Sequence, residues 1–390
     1  MDTFSLRAAT WLGVTVAAAG LLGTAGCTSS GSSSPSASPS VGASSKGLAV
    51  REIAFGTLLK HSFRPGGKGT ARTEHLIQPD DIVTLAGHLY VGWQNGVGPQ
   101  GEPSASGNLD STLVEFTTAG HVVKQWDVTG KIDGLGADPA TGQVIATVNE
   151  DANSSLYTVS GGTVTHYTYT PSKLPHMGGT DSVAVYSGKI LISASSPGTT
   201  GKAPASAPAV YVVTLNSGAK TAAVAPFFAA NATATGVNAP NTGKTVTLAL
   251  TDPDSNEVVP SSSPAFAGDF MLNAQADQQL ILSDSSGKNL HVLKISKPVD
   301  DTAWATSASG SLYTTDSNAD AVDAITGSFK PGTAYTAIAP CNAANAPSVV
   351  CPNPPAWPLN SLGTINLKTG AVGNVTVSGV VAPKGLIFVP

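Results

Sequence analysis

Residues 179–195 read GTDSVAVYSGKILISAS, and this stretch decides the fold class. An Asp is followed by a short apolar run, a Ser-Gly turn and a second apolar run. Short runs rich in Val and Ile, separated by a tight turn, predict two antiparallel β-strands. Stretches of the same pattern recur along the chain as PDDIVTLAGHLYVGW, KIDGLGADPATGQVIATV, AGDFMLNAQADQQLILSD and VDDTAWATSASGSLYTTD.

The repeat predicts an all-β fold, specifically a β-propeller. A third strand follows each pair and a fourth often follows that, giving four strands in roughly 30–55 residues, as in a propeller blade. A weaker copy surrounds Thr235, and the final APKGLIFVP has Lys384 in place of the Asp. The copies favour seven blades, with six as the alternative. Because the last copy ends at Pro390, we expect the N-terminal segment AVREIAFGTLLKHSF to complete its blade and remove an open sheet edge.

The N-terminus predicts export and a lipid anchor. Residues 1–26 contain Arg7 and an apolar run too short to span a membrane, as in a signal peptide. The run ends in Ala25-Gly26-Cys27, which resembles a bacterial lipobox, although Thr24 stands where Leu is commoner. An ordinary secretory signal is the alternative. We expect residues 27–46 to be a lipidated Cys27 followed by a Ser-rich, disordered tether, and residues 47–390 to form the propeller.

Composition excludes some partners. Charged residues make up 12% of the chain and the net charge is −5, whereas nucleic-acid binding favours a basic stripe. The remaining cysteines, Cys341 and Cys351, lie in a Pro- and Asn-rich loop. Outside the cytoplasm two such cysteines most simply form a disulfide, with free thiols or a metal-binding pair as the alternatives.

Acidic residues are predicted to converge on one face. The inner strand of a blade lines the central channel, so the Asp at the start of each repeat should reach the channel mouth. Converging carboxylates repel unless protons or a cation intervene, and Ca²⁺ or Mg²⁺ prefers such oxygen ligands. The alternative is structural, with each Asp accepting backbone N–H groups. The candidate metal ligands are Asp81, Asp133, Asp181, Asp269 and Asp301, together with the Asp252, Asp254, Asn256 group, which mimics only the opening of an EF-hand loop.

Loops predicted on the same face supply candidates for ligand binding. These are Trp93, Asn95, Asn149 and Glu150. His176 precedes Asp181 and is a candidate general base, but no nucleophile motif accompanies it, so no catalytic residue is assigned.

The blade pattern over residues 48–390 resembles bacterial extracytoplasmic propellers of the NHL, YVTN and TolB-like kinds. The resemblance implies a propeller fold and attaches no established activity. We therefore expect a monomeric binding module, anchored by lipid to the outer face of the cytoplasmic membrane, that recognises a protein, glycan or small molecule through its acidic face. The alternative is a lactonase-like hydrolase or lyase that depends on a divalent metal at the channel mouth.

Overall fold

The computed structural model describes residues 41–43, 47–172, 174, 179–195, 206–340 and 359–390. The regular secondary structure of these residues is almost entirely β-strand, and the fold is a β-propeller. The helical segments among them are two short 3₁₀ turns, Gly56–Leu58 and Pro65–Gly67. In the part of the chain described, no helix has the length and apolarity needed to cross a bilayer.

The first three blades each consist of four consecutive antiparallel strands, numbered outward from the channel. Blade 1 contains β5 Pro79–Leu85, β6 His88–Trp93, β7 Asp110–Thr117 and β8 Val122–Thr129. Blade 2 contains β9 Ile132–Asp138, β10 Gln143–Val148, β11 Ser155–Ser160 and β12 Thr163–Thr170. Blade 3 contains β13 Thr180–Tyr186, β14 Lys189–Ala194, β15 Pro208–Asn216 and β16 Thr221–Ala229. A short parallel pairing between β12 and β16 joins the outer edges of blades 2 and 3.

Blades 4 and 5 depart from the simple repeat. Blade 4 runs β19 Pro253–Val258, β20 Phe270–Ala274, β21 Gln279–Ser283 and β22 Leu290–Lys294, with β17 Thr233–Gly236 and β18 Thr245–Thr247 added at its outer edge. Blade 5 runs β23 Val299–Trp304, β26 Ala334–Ile338, β27 Ser361–Ile365 and β28 Val372–Asn374. The two strands that lie between β23 and β26 in the sequence belong to the neighbouring blade.

Blade 6 combines the two ends of the chain, as predicted. Its strands, from the channel outward, are β29 Pro383–Val389, β24 Ser311–Asp316, β25 Ala321–Thr326, β2 Ala49–Phe55 and β1 Val41–Ala43. Of the expected N-terminal segment, only AVREIAF enters the blade, as β2, which pairs antiparallel with β25. Strand β1 lies within the segment that we expected to be a disordered tether. A separate hairpin is formed by β3 Lys60–Phe63 and β4 Arg72–His75.

Six inner strands contact one another in a closed ring in the order β5, β9, β13, β19, β23 and β29. Six buried apolar clusters match this arrangement, one between each pair of neighbouring blades. The seven blades favoured by the sequence are therefore not confirmed. The copy near Thr235 forms β17 and β18 at the outer edge of blade 4.

Two other sequence copies were aligned wrongly. The AGDFMLNAQADQQLILSD copy forms β20 and β21, the second and third strands of blade 4, whose inner strand is β19. The copy that begins at Val299 contributes β23 to blade 5 and β24 to blade 6. Strand β19, PDSNEV, was interpreted as a loop because it lacks the apolar run that marks a buried strand.

Candidate functional site

Each inner strand carries a local irregularity at the same place. Just after its first paired residue, the register with the second strand of the blade shifts. Blade 6 shows the same shift, although its second strand, β24, comes earlier in the sequence. Such β-bulges re-aim side chains and bend the strand. The tripeptides at these six places are PDD 79–81, IDG 132–134, TDS 180–182, PDS 253–255, VDD 299–301 and PKG 383–385.

The middle residue of each tripeptide defines what we call the mouth ring. It consists of five acids and one lysine: Asp80, Asp133, Asp181, Asp254, Asp300 and Lys384. The alignment of the chain's internal repeats predicts Asp81 and Asp301 at this position. Each of them lies one residue after the ring position. Asp269 lies just before β20, half-buried, and is not among the residues that line the channel.

The mouth ring opens into a channel cavity of about 220 Å³. Glu150, Asp81, Glu257 and Asp301 add four more carboxyl groups to its lining. Further along, the wall becomes apolar, with Val83, Val185 and Ile387 among its residues. The cavity therefore has an acidic mouth and an apolar interior.

Hydrogen bonds between blades fix the backbone of the ring. Ser193 donates to the carbonyl oxygen of Asp254 at 2.9 Å, and the Asn273 amide donates to that of Asp300 at 2.8 Å. In the same way, hydroxyl groups of the second strands donate to the carbonyl oxygens of Asp80 and Asp181. Four ring residues are thus held by the blade that precedes them.

Two lysines neutralise parts of the acidic face. The Nζ atom of Lys384 lies 2.5 Å from Asp80 Oδ1 and 4.0 Å from Asp300 Oδ2. The Nζ atom of Lys131 lies 2.6 Å from Asp133 Oδ1 and also contacts Glu150. Burial acts to raise the pKa of Glu150, but the Lys131 ammonium holds it below its ordinary value.

Asp181 has no such partner. It is 7% exposed, lines the cavity, and its carboxylate receives no hydrogen bond from any residue that the structure describes. Burial, and then the negative charges of Glu150 and Asp133, raise the pKa of Asp181 well above its ordinary value. A carboxyl group in this position must either hold a proton or face a cation.

Asp254, on the neighbouring inner strand, is bound by neutral donors alone among the residues that the structure describes. Gln275 Nε2 donates to its Oδ2 at 3.0 Å and Asn273 Nδ2 at 3.5 Å. Burial, followed by the charges of Asp300 and Asp181, raises the pKa of Asp254 well above its ordinary value. The Asp181 and Asp254 carboxyl groups are therefore adjacent ring acids, and neither forms an ion pair with a described residue.

Asn256 lines this part of the channel, and its amide is fixed by the neighbouring blade. It is 5% exposed, and its Nδ2 donates to the carbonyl oxygen of Ser182 at 3.0 Å. That bond fixes the amide and leaves Oδ1 buried without a donor. Asp252, predicted in the same group, does not line the cavity and instead accepts the Ala276 N–H at 3.1 Å.

Asp81 and Asp301 link adjacent blades. Each accepts the N–H of the residue that follows it and, through Oδ2, an N–H of the next inner strand, from Leu135 at 2.5 Å and Leu386 at 2.6 Å respectively. Deeper in the channel, Glu257 faces both carboxyl groups. Burial and their charges raise the pKa of Glu257 well above its ordinary value.

The described residues contain no group of three or more His, Cys, Asp or Glu side chains arranged so that it could hold a metal ion. The Ca²⁺ or Mg²⁺ predicted from the strand-start acids therefore has no preformed set of acidic ligands there.

The predicted ligand-binding loop residues have structural roles, except Glu150. Trp93 is fully buried in the core between blades 6 and 1, so its ring is not exposed to a ligand. Asn95 has a positive φ of 53° and its amide bonds to Ile77 and Thr112. Asn149, with a φ of 66°, accepts the Lys131 N–H at 2.9 Å. His176, Cys27, Cys341 and Cys351 lie outside the described residues, so their roles stay predictions.

Sequence reasoning missed the ring positions Asp80 and Asp300 and the ion-paired Lys131. A shared three-residue pattern at the start of the inner strands could have identified the ring positions. Its first residue is Pro, Ile, Thr or Val, its second is Asp or Lys, and its third is Asp, Gly or Ser. The third residue is small where the backbones are crowded, since a Cβ on Gly134 would lie 2.5 Å from the Cα of Ser182.

Neither a scan against protein-family models nor a search of curated proteins found a match. Among solved structures, a protein of unknown function from Bacteroides caccae is similar at 11% identity and a TM-score of 0.41, covering 90% of this chain and 99% of its own. AztD from Citrobacter koseri has 10% identity, a TM-score of 0.35 and coverages of 90% and 96%. Virginiamycin B lyase from Staphylococcus aureus has 10% identity, a TM-score of 0.36 and coverages of 73% and 79%. The fold assignment rests on the strand pairings, and no activity is transferred from these proteins.

Proposed function

We propose that this protein is an extracytoplasmic, lipid-anchored binding module that takes a cation or a cationic group of a ligand into the acidic mouth of its channel. The observation that carries the proposal is Asp181. A carboxyl group that is 7% exposed, faces a cavity and has no donor in the described part of the chain is costly to ionise unless a cation binds beside it.

The charge balance of the mouth ring supports the same proposal. Five carboxyl groups surround one lysine, and Lys131 adds a second cation beside Asp133. Two ammonium groups cannot neutralise five ring acids together with Glu150. The remaining negative charge attracts cations, and low-dielectric channel walls strengthen that attraction.

Export and anchoring are supported by the sequence alone. The short apolar run that ends at Cys27, followed by the Ser-rich segment, would display the propeller outside the cell on a tether. In that position the channel mouth is available to extracellular ligands.

The test is thermal unfolding at pH 8 with added CaCl₂, MgCl₂, NH₄Cl or an alkylammonium chloride, each compared with NaCl at equal ionic strength. We expect at least one cation to raise Tm, because a ligand that binds only the folded chain stabilises it by mass action. The rise should shrink at pH 5, where protons compete for the raised-pKa carboxyl groups.

The matched variants are Asp181→Asn and Asp269→Asn. Both remove one acid, but only Asp181 lies in the mouth ring. Asp181→Asn should lose the cation response and Asp269→Asn should keep it. If no cation shifts the wild-type Tm, the binding proposal is wrong. The Ca²⁺ and Mg²⁺ samples also test the metal-dependent hydrolase or lyase that the sequence left as an alternative.

A further inference from the structure

The two lysines of the acidic face show how the mouth ring accommodates a cation. Lys384 places a primary ammonium beside Asp80 and within 4.0 Å of Asp300. Lys131 places another between Asp133 and Glu150. Each ammonium is therefore shared by two carboxylates, and together the two lysines occupy two sectors of the ring.

The third sector of the ring has acceptors without a cation. It consists of Asp181 on β13 and Asp254 and Asn256 on the adjacent β19. No donor among the described residues reaches the Asp181 carboxylate or Asn256 Oδ1, although both side chains are more than nine-tenths buried and line the cavity. Within the described ranges, the Asp254 carboxylate is bound by amide groups alone.

We propose that this sector binds the primary ammonium group of a small organic ligand, whose hydrocarbon part extends into the apolar channel. This inference rests on the proposed function and names its ligand class. An ammonium has three N–H donors and no acceptor, and the two carboxyl groups of the sector offer four oxygens. The external ammonium would repeat the arrangement that the two lysines already make.

The oxygen atoms of this sector suit an ammonium group better than a hard divalent cation. Ca²⁺ takes about six to eight oxygen ligands, whereas this sector offers the oxygens of two carboxylates. An ammonium is satisfied by three hydrogen bonds, and those to carboxylates are charge-assisted and strong.

The rest of the channel limits the size and polarity of the ligand. Below the ring, Val83, Val185 and Ile387 line the wall, so an alkyl chain would be buried favourably there. The cavity of about 220 Å³ is smaller than the roughly 300–1,000 Å³ of pockets that enclose drug-sized molecules. A short alkylammonium fits these limits.

The experiment is calorimetric titration of the full-length mature protein with n-butylammonium at pH 8. Tetramethylammonium has the charge but no N–H donor, and 1-butanol has the chain but no charge. We expect n-butylammonium to bind at least about tenfold more tightly than either, because only it can make charge-assisted hydrogen bonds. Asp181→Asn should weaken binding at least about tenfold. Asp269→Asn should leave it unchanged.

A circular dichroism spectrum confirms that each variant is folded. Should Asp181→Asn fail to fold, Asp254→Asn tests the same sector. If Ca²⁺ or Mg²⁺ raises Tm and n-butylammonium does not bind, the ammonium inference is wrong while the cation-binding function stands. If no cation acts, both are wrong. Equal binding of tetramethylammonium would overturn the hydrogen-bonded geometry. Tighter binding of a lysine-containing hexapeptide than of n-butylammonium would overturn the choice of a small molecule.

Discussion

The carboxylate of Asp81 accepts a 2.5 Å hydrogen bond from the backbone N–H of Leu135, which lies on the inner strand of the next blade. Its other oxygen accepts the N–H of Ile82 at 2.6 Å. Asp81 therefore joins blades 1 and 2 at the point where both strands bulge. Asp301 makes the equivalent link between blades 5 and 6.

Replacing Asp81 should weaken the propeller itself. Asp81→Asn would turn an amide NH₂ toward one of two N–H donors, leaving a partly buried donor unsatisfied. We expect a loss of about 1–3 kcal/mol in the free energy of unfolding, measured by urea denaturation. Asp269 aligns with Asp81 in the internal repeats of the sequence but makes no such link between blades. Asp269→Asn should therefore change the free energy of unfolding little. Equal losses in both variants would contradict the linking role.

Stability should fall as pH rises in the absence of a bound cation. The pKa values of Asp181, Asp254 and Glu257 are raised in the folded protein by burial and then by neighbouring acids. In the unfolded chain, an Asp or Glu side chain has a pKa of about 4. Above that pH the folded state therefore binds more protons than the unfolded state. The free energy of unfolding then decreases with pH until the folded groups ionise.

The variant Asp181→Asn isolates one of these groups. It cannot ionise, so its urea midpoint should fall less between pH 5 and pH 8 than that of the wild type. Since one pKa unit corresponds to about 1.4 kcal/mol, we expect the variant to be more stable than the wild type at pH 8 by about 1–2 kcal/mol. An unchanged slope would mean that Asp181 is not the group that titrates.

The sequence predicted the fold class because local patterns determine it. Paired apolar runs around tight turns, as in residues 179–195, correctly predicted inner strands such as β13, and the end of the chain correctly predicted closure by β2. Strand β19 was missed because its side chains line a polar channel and show no apolar alternation. The chain leaves blade 5 after β23 and enters blade 6 at β24. No local sequence pattern marks this change of blade, because both segments have ordinary strand sequences.

The site was predictable in character but not in detail. Acids at the strand starts correctly indicated an acidic channel. A one-residue shift, however, separates Asp80 in the mouth ring from Asp81 in the link between blades, and only the bulge distinguishes them. Trp93 could not be assigned from its loop position, because its burial depends on packing between blades 6 and 1.

Closure by β2 should be essential for stability. Strand β2 pairs with β25 along its length and buries Val50, which is 2% exposed, against the core between blades 5 and 6. A chain shortened to begin at Gly56 loses β2 and leaves the β25 edge open to pairing with other molecules. We expect it to lose about 3 kcal/mol or more and to aggregate in light scattering. A chain that begins at Gly47 keeps β2 and should match the full-length mature protein.

The lipid anchor predicted at Cys27 is tested by Cys27→Ser. Residues 8–22 are too short an apolar run to hold the protein in a bilayer, so attachment should depend on the modified cysteine. We expect Cys27→Ser to abolish incorporation of a labelled fatty acid and to shift the protein from the membrane fraction to the medium. Thr24→Leu, which brings the sequence closer to the common lipobox, should keep both the label and the membrane fraction. Cys341→Ser controls for a labelled thiol elsewhere and should also keep them. A wild-type protein that takes up no fatty acid would identify the segment as an ordinary secretory signal, and the binding propeller would then be a released protein.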